Sequence, residues 1–226
     1  MNTKILKKNI DVVIVSDAKT QELKEITEQA LGTVGEDVNV IVIESNKNIH
    51  YEGVTVIYPD VPFNYNEYLN IGASYGTADY IFFSNNDVIF YEDWDFNLMN
   101  NMKRLNVVSA SPICPEVALL LNIDLFSGNY YGYEIISRFC GWAFMWTRKF
   151  YDYVGGLDET FKFWCSDNVT VEQLLRHNKK HILVTSSVVQ HINSGHNTIV
   201  SLEGGTLNEY TLQEVKKFNC LFNKNS

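Results

Sequence analysis

The chain has 226 residues, 46% of them apolar, which is enough for one sizeable α/β domain core without disulfide or metal staples. Its formal net charge is −9, and Lys4, Lys7 and Lys8 form the one short basic cluster, which excludes the basic footprint of a protein that coats nucleic acid. The four cysteines, Cys114, Cys140, Cys165 and Cys220, form no C-x-x-C pair, so a zinc or redox motif is not encoded and free, mostly buried thiols are expected.

The β-branched run Ile10 to Val15 predicts a buried strand. Ser16 and Asp17 follow it as helix-capping types, and Leu23, Ile26 and Ala30 then share one helical face, with Gly32 as the stop. Val38 to Ile43 reads as a second strand ending in Glu44-Ser45-Asn46, and Val54 to Tyr58 as a short third strand closed by Pro59 and Pro62. Asn64 or Asn66 starts a helix to about Tyr75, in which Gly72 and Ala73 permit close packing. Asp79 to Phe83 is a fourth, very apolar strand that runs into Ser84-Asn85-Asn86-Asp87. Trp94 to Leu105 is helical and Val107 to Ser111 extended.

Residues 113–137 have no clean period and read as an insertion that covers substrate. Ala143 to Thr147 is a strand, and Arg148 to Val154 a short helix stopped by Gly155-Gly156. Ser166 or Asp167 caps a helix that turns Val171, Leu174 and Leu175 inward. Ile182 to Thr185 and Val188 to His191 are extended. From Leu207 to Leu221 the residues Leu207, Tyr210, Val215, Phe218 and Leu221 recur at helical spacing, as in a tail that packs on the domain or on a partner.

Strands alternating with helices imply parallel βαβ units, and such sheets collect ligands at the carboxyl ends of their strands. Ser16-Asp17, Glu44-Ser45 and Asn85-Asn86-Asp87 all fall at such ends, as a nucleotide crevice requires. Neither a G-x-G-x-x-G nor a G-x-x-x-x-G-K-[ST] motif is present, so a dinucleotide fold and a P-loop are both unsupported.

Three stretches carry a family resemblance. The first runs from Phe63-Asn64-Tyr65-Asn66 through Asn70-Ile71-Gly72-Ala73 and Gly76-Thr77-Ala78-Asp79-Tyr80-Ile81-Phe82-Phe83 to Asn85-Asn86-Asp87. The second is Gly141-Trp142-Ala143-Phe144, followed by Val154-Gly155-Gly156-Leu157-Asp158-Glu159-Thr160-Phe161. The third is Phe163-Trp164-Cys165-Ser166-Asp167, with His191 after the last strand. In this order and spacing, residues 10 to 196 resemble the family 2 glycosyltransferases of the GT-A fold. The resemblance implies one α/β domain over residues 1–226, a Rossmann-like, mostly parallel sheet flanked by helices with a smaller acceptor-side region. Residues 10–112 would be its nucleotide-sugar half, 113–200 its acceptor and catalytic half, and 201–226 a helical tail. Two positions depart from the family pattern: Asn85 stands for the first acid of D-x-D, and Ser166 for the first of an acidic pair.

The implied reaction moves a sugar from a nucleotide diphosphate, with UDP-sugar as the expected donor, to an acceptor hydroxyl. Mn²⁺ or Mg²⁺ would offset the charge of the departing diphosphate, held by Asp87 with His191 or its rival His196. Asp167, at a helix N-terminus, would be the general base of an inverting transfer. Ser16, Asp17 and Glu44 would meet the base or ribose, and Asn70, Asn85 and Asn86 the pyrophosphate region. Trp164, Trp142 and Gly141 would line the substrate site. The acceptor would be a glycan or lipid-linked sugar, or a modified DNA base of phage type. Two other readings stand beside this one. A nucleotidyltransferase is opposed by the glycine-free loop Ser16 to Thr20, and a non-catalytic carbohydrate-binding scaffold is favoured by Asn85 and Ser166. No apolar run has the length of a membrane span, and Val12 to Val15 is too short for a secretory signal, so a soluble, cytoplasmic protein is expected.

Overall fold

The structure, a computed structural model, describes residues 9–192 and 207–222, without the side chains of 207–210. Strand β1 (Ile10–Ser16) is buried along its whole length because parallel neighbours flank it on both sides, β2 (Asn39–Glu44) and β4 (Tyr80–Asn85). That position explains its continuous β-branched run. β3 (Thr55–Ile57) extends the parallel order beyond β2.

Helix α1 (Gln21–Thr33) is capped by Thr20, whose side chain accepts from the Leu23 N–H, and not by Ser16 or Asp17 as the sequence suggests. Ser16 still belongs to β1, so the chain needs the intervening residues to leave the sheet. Gly32 is passed within the helix and the chain turns at Gly35, φ +98°. Asn64 caps α2 (Tyr65–Ser74), and a side chain at Gly72 would lie 2.3 Å from Val13 Cγ1, so the glycine sets how closely α2 approaches the sheet.

β5 (Val88–Phe90) and α3 (Trp94–Leu105) follow. β6 (Ser109–Ile113) starts two residues later than the apolar pattern indicates, because Val107 N–H still closes the helix end on Met102 O. The 113–137 segment holds α4 (Pro115–Leu120) and β7 (Asn129–Tyr131), with Leu119 and Leu120 each 83% exposed. β8 (Ala143–Thr147), α5 (Arg148–Val154), α6 (Ser166–Arg176), β9 (His181–His191) and α7 (Leu207–Phe222) complete the described chain.

The strand order is β3-β2-β1-β4-β8-β6-β9-β5, with β7 on β9. The parallel arrangement holds from β3 to β4. Beyond it the sheet is mixed: β8 runs antiparallel to both β4 and β6, and β9 is parallel to β6 but antiparallel to β5 and β7. Alternate residues of the central strands feed two cores. Val12, Ile14 and Phe82 meet Trp94 and Leu98, while Val13, Ile41 and Phe83 meet Leu69 and Trp146.

On α6, Val171 and Leu174 are buried but Leu175 is 44% exposed, since an eleven-residue helix on this face buries only one stripe. On α7, Phe218 packs against Phe161 while Val215 and Leu221 are exposed. All four cysteines are free; Cys220 is exposed, and burial pushes the Cys140 thiol up to about 12 and that of Cys165 up to about 11, so the latter two stay protonated at neutral pH.

At the sheet end opposite the polar strand termini, the buried Asp11 carboxylate meets Arg148 at 2.8 Å. It also accepts from Ala78 N–H and Asn39 Nδ2, while Arg148 reaches Ala73 O. Gly76 has no side chain because a Cβ there would lie 2.2 Å from this carboxylate. The pair ties β1 to the start of α5. Arg148→Met strands a buried carboxylate and should cost about 3–5 kcal/mol in urea unfolding, or about 10 °C in Tm, with part of the loss recovered in the double variant D11N/R148M.

Candidate active site

β4 ends at Asn85, and the chain turns through Asn86-Asp87 directly into β5. β5 then pairs antiparallel with the end of β9, Val88 opposite His191, and Ile192 N–H donates to Asp87 O at 2.9 Å. This ladder sets two residues 104 positions apart side by side: His191 Nε2 lies 3.0 Å from Asp87 Oδ1. Trp142 stacks flat on the His191 ring, centroids 4.5 Å apart and planes 6° apart, and its carbonyl accepts from Asn85 N–H. The Asn85 amide oxygen accepts from the Tyr65 hydroxyl at 2.7 Å, which turns its nitrogen toward His191 at 3.5 Å.

Asp167 is the second residue of α6, and its carboxylate accepts from Asn168 N–H at 2.8 Å. A Cβ on Gly141 would lie 2.4 Å from Asp167 Cβ, so Gly141 is the seat on which this acid rests. Burial raises the Asp167 carboxyl above its usual range, against the lowering effect of the amides of Asn168 and of Asp167 itself. The Tyr65 phenol is pushed up first by burial, then by the charges of Asp87 and Asp167, which marks it as standing within the field of both acids.

His191, Asp167, Asn85, Tyr65, Trp142 and Trp164 line one cleft of ≈ 180 Å³, to which Gly141, Ile135, Ile136 and Ser166 also contribute. Of the residues singled out in the sequence, the fold thus gathers Asn85, Asp87, Gly141, Trp142, Trp164, Asp167 and His191. His196 lies outside the described residues.

The other residues singled out make hydrogen bonds within the fold. Ser16 and Glu44 are buried and Asn86 is half-buried. Ser16 Oγ is 3.1 Å from Thr27 Oγ1 and 3.2 Å from Tyr51 Oη, and Glu44 accepts from Ala18 N–H, Asn46 N–H and Tyr51 Oη. Asn86 Nδ2 donates to Thr27 Oγ1 at 2.9 Å. These groups satisfy one another at the strand ends, as the burial of Ser16 and Glu44 demands. Asn70 is likewise consumed: it bonds both the N–H and the C=O of Leu157, the Tyr151 hydroxyl and Glu159, latching the Gly155 to Glu159 turn onto α2. Asp17 is half-buried and lies 3.2 Å from Lys19. Tyr65 is the residue that the sequence does not reveal. It shares the buried helix face of Leu69 and Ala73, so its spacing reads as core.

No group of three or more His, Cys, Asp or Glu able to hold a metal is found among the described residues. The Asp87–His191 pair nevertheless fits a hard or borderline divalent ion whose coordination is completed by phosphate oxygens: one carboxylate oxygen and one imidazole nitrogen meet at a strand end beside a neutral amide. No described helix is long and apolar enough to cross a membrane.

Residues 3–118 match the family model described as Glycosyl transferase family 2. No curated protein matches the sequence. Among solved structures, the mannosyltransferase PcManGT from Pyrobaculum calidifontis, in complex with GDP-Man and Mn²⁺, superposes with a TM-score of 0.61 at 12% identity over 86% of this chain and 60% of that one. GalNAc-T7 with UDP, GalNAc and Mn²⁺ gives 0.61 at 14% identity over 81% of this chain and 43% of that one. The chain therefore spans about 60% and 43% of the lengths of these two structures, and at such identities the likeness is one of fold. With the family model covering just over half of its residues and a GT-A architecture around the cleft, the chain belongs to glycosyl transferase family 2.

Proposed function

We propose that the protein transfers a sugar from a nucleoside-diphosphate donor, a UDP-sugar in the first instance, to an acceptor hydroxyl with inversion at the anomeric carbon. The observation that carries this reading is that His191, paired to Asp87 from the first half of the chain, and Asp167 line one cleft. At ≈ 180 Å³ the cleft is smaller than the ~300–1,000 Å³ sites that engulf whole ligands, so it suits the sugar end of the donor, with the nucleotide over the adjacent ends of β1, β2 and β4.

Asp87 and His191 would hold Mn²⁺ or Mg²⁺, which when bound supplies positive charge beside the diphosphate. Trp142 keeps the His191 ring in plane, and the Tyr65–Asn85 hydrogen bond fixes the amide next to it. Asp167 takes the proton of the acceptor hydroxyl as that oxygen forms its bond to the anomeric carbon. The bond from that carbon to the diphosphate breaks at the same time, and its electron pair leaves with the phosphate oxygen. Burial of Asp167 strengthens it as a base, because a carboxyl with a raised pKa binds the proton more tightly. A glycan hydroxyl is the acceptor we favour over a modified DNA base, since the net charge of −9 opposes a polyanion.

Screening UDP-, GDP- and dTDP-sugars for Mn²⁺-dependent release of the nucleoside diphosphate tests the reaction class. Asp87→Ala should lower kcat/KM about 10²–10³-fold and abolish the response to added Mn²⁺. An unchanged rate would remove the metal from the proposal.

Asp167→Asn should lower kcat about 10²–10⁴-fold while leaving UDP affinity within about twofold. Its stability should move the other way. The folded-state pKa of Asp167 lies above its unfolded value of about 3.9. Its favourable contribution is therefore complete below that unfolded value and lost as pH rises through the folded one. The amide escapes that loss, so the variant should melt higher at pH 7, with the difference closing toward pH 4 in a calorimetric series.

A further inference from the structure

The segment from Asp158 to Cys165 leads into α6 and Asp167 without a helix or strand of its own, so its backbone groups must find partners on other elements. Lys162 is tied on both sides. Its N–H donates to Glu214 of α7 at 2.9 Å, and its C=O accepts from the N–H of Tyr65, the first residue of α2, at 2.7 Å. The second Glu214 oxygen accepts from Phe163 N–H at 3.3 Å. Phe163 carries the contact onward. Its C=O accepts from the N–H of Ser166, where α6 begins, and its ring meets the Tyr65 ring edge-on with centroids 6.0 Å apart. One carboxylate thus stands behind both Tyr65 and Asp167, which line the same cleft.

Glu214 is only 6% exposed. Removing a carboxylate from water is costly, and an apolar side chain seats a helix more cheaply, as Phe218 does against Phe161 on the same helix. What the acid adds is a pair of charge-assisted hydrogen bonds to a loop. Lys217 donates to Thr160 O at 2.6 Å and lies over the Phe161 ring, so α7 grips the segment along Thr160 to Phe163. The helix lies outside residues 3–118, which match the family model, so that match gives it no part in the site.

We propose that Glu214 is a positioning residue for Asp167 and Tyr65, which makes α7 a working part of the cleft. The effect on turnover rests on the glycosyltransferase reading of that cleft, whereas the effect on the loop does not. Asp167 is held by Asn168 N–H at 2.8 Å and the Tyr65 hydroxyl sits on Asn85 at 2.7 Å, and both bonds depend on where α6 and α2 begin. Releasing Lys162 and Phe163 loosens both starts. A misplaced base slows the chemical step, while a nucleotide over the ends of β1, β2 and β4 meets nothing that has moved, so kcat falls and the donor KM does not.

The test compares the full wild-type chain with Glu214→Ala, Glu214→Gln and Arg148→Met, by amide hydrogen exchange read by NMR under native conditions and by turnover of UDP- and GDP-sugars with Mn²⁺. Glu214→Ala loses both hydrogen bonds and Glu214→Gln keeps one acceptor oxygen. Arg148→Met destabilises the opposite end of the sheet and serves as the control for lost stability. In Glu214→Ala, exchange should quicken about tenfold at Lys162 and Phe163 and also at the Tyr65 and Asn168 amides, and kcat should fall about tenfold with the donor KM within about twofold. Glu214→Gln should lie between wild type and Glu214→Ala, and it carries the test alone if the alanine variant does not fold. Arg148→Met should lower Tm without slowing kcat. Faster exchange confined to Lys162 and Phe163, an unchanged kcat in Glu214→Ala, or an equal loss of kcat in Arg148→Met overturns the positioning role and leaves the transferase reading standing. If the wild-type chain turns over no sugar nucleotide, the transferase reading falls, and exchange at Tyr65 and Asn168 still decides whether Glu214 places them.

Discussion

The register of β5 on β9 is the constraint from which the site follows. Those strands are joined by three residue pairs, Val88–His191, Ile89–Gln190 and Phe90–Val189, and by the Ile192-to-Asp87 backbone bond. Side chains alternate along a strand, so a slip of one residue would turn the His191 ring away from Asp87. The pairing is therefore what brings these two distant residues side by side. β5 is short, and what holds it is the core beneath: Val88 and Phe90 are buried in the cluster that contains Trp94 and Phe82. The placement of the strand end is in this sense fixed by the apolar packing of Val88, Phe90 and Val189.

Around that register the polar residues divide into those that build the crevice and those that face it. Ser16, Thr27, Glu44, Tyr51 and Asn86 share protons among themselves, and they hold three strand ends at one level. Asn70 does the same for the Gly155 to Glu159 turn, and Glu214 for the loop before Trp164. Each replaces loop freedom with hydrogen bonds made before any ligand arrives, which lowers the ordering that binding must impose. The side chains left to face the cleft, Asp167, His191 and Trp164 among them, thus stand on loops and helix ends whose own positions are already determined.

Much of this was legible in the sequence, and the limits have physical causes. β1, β2 and β4 were readable because central parallel strands are apolar on both faces, and α5 because Gly155 follows it in the left-handed conformation at φ +80°. The helix start at Gln21 was misplaced because Ser16 and Asp17 are good caps in isolation, and only the sheet shows that Ser16 is still extended. The mixed second half of the sheet leaves no local trace, since antiparallel and parallel strands differ in partners more than in composition. In the site, Asp87, His191 and Asp167 stood out by residue type, and the fold brings them together. Glu44 and Asn86 carried the same types but spend them internally, a difference decided by neighbours such as Tyr51 and Thr27 that lie far off in sequence.

In the proposed reaction, the two departures from the family's acidic pattern would act on one quantity, the negative charge near the diphosphate. An aspartate at 85 would put a second carboxylate two residues from Asp87. The amide instead accepts from Tyr65 and leaves the turn with a single charge. An acid at 166 would lie beside Asp167 and raise its pKa by like-charge repulsion; with serine there, the same rise comes from burial against Gly141 and the cleft wall. The distinction bears on turnover. A base raised by a neighbouring charge loses its advantage when that neighbour is neutralised by ligand or ion, whereas one raised by desolvation gains as the cleft fills and water is excluded. In the proposed reaction the acid for proton uptake, Asp167, and the acid for cation binding, Asp87, would thus stand apart, with Tyr65 hydrogen-bonded to Asn85 beside them.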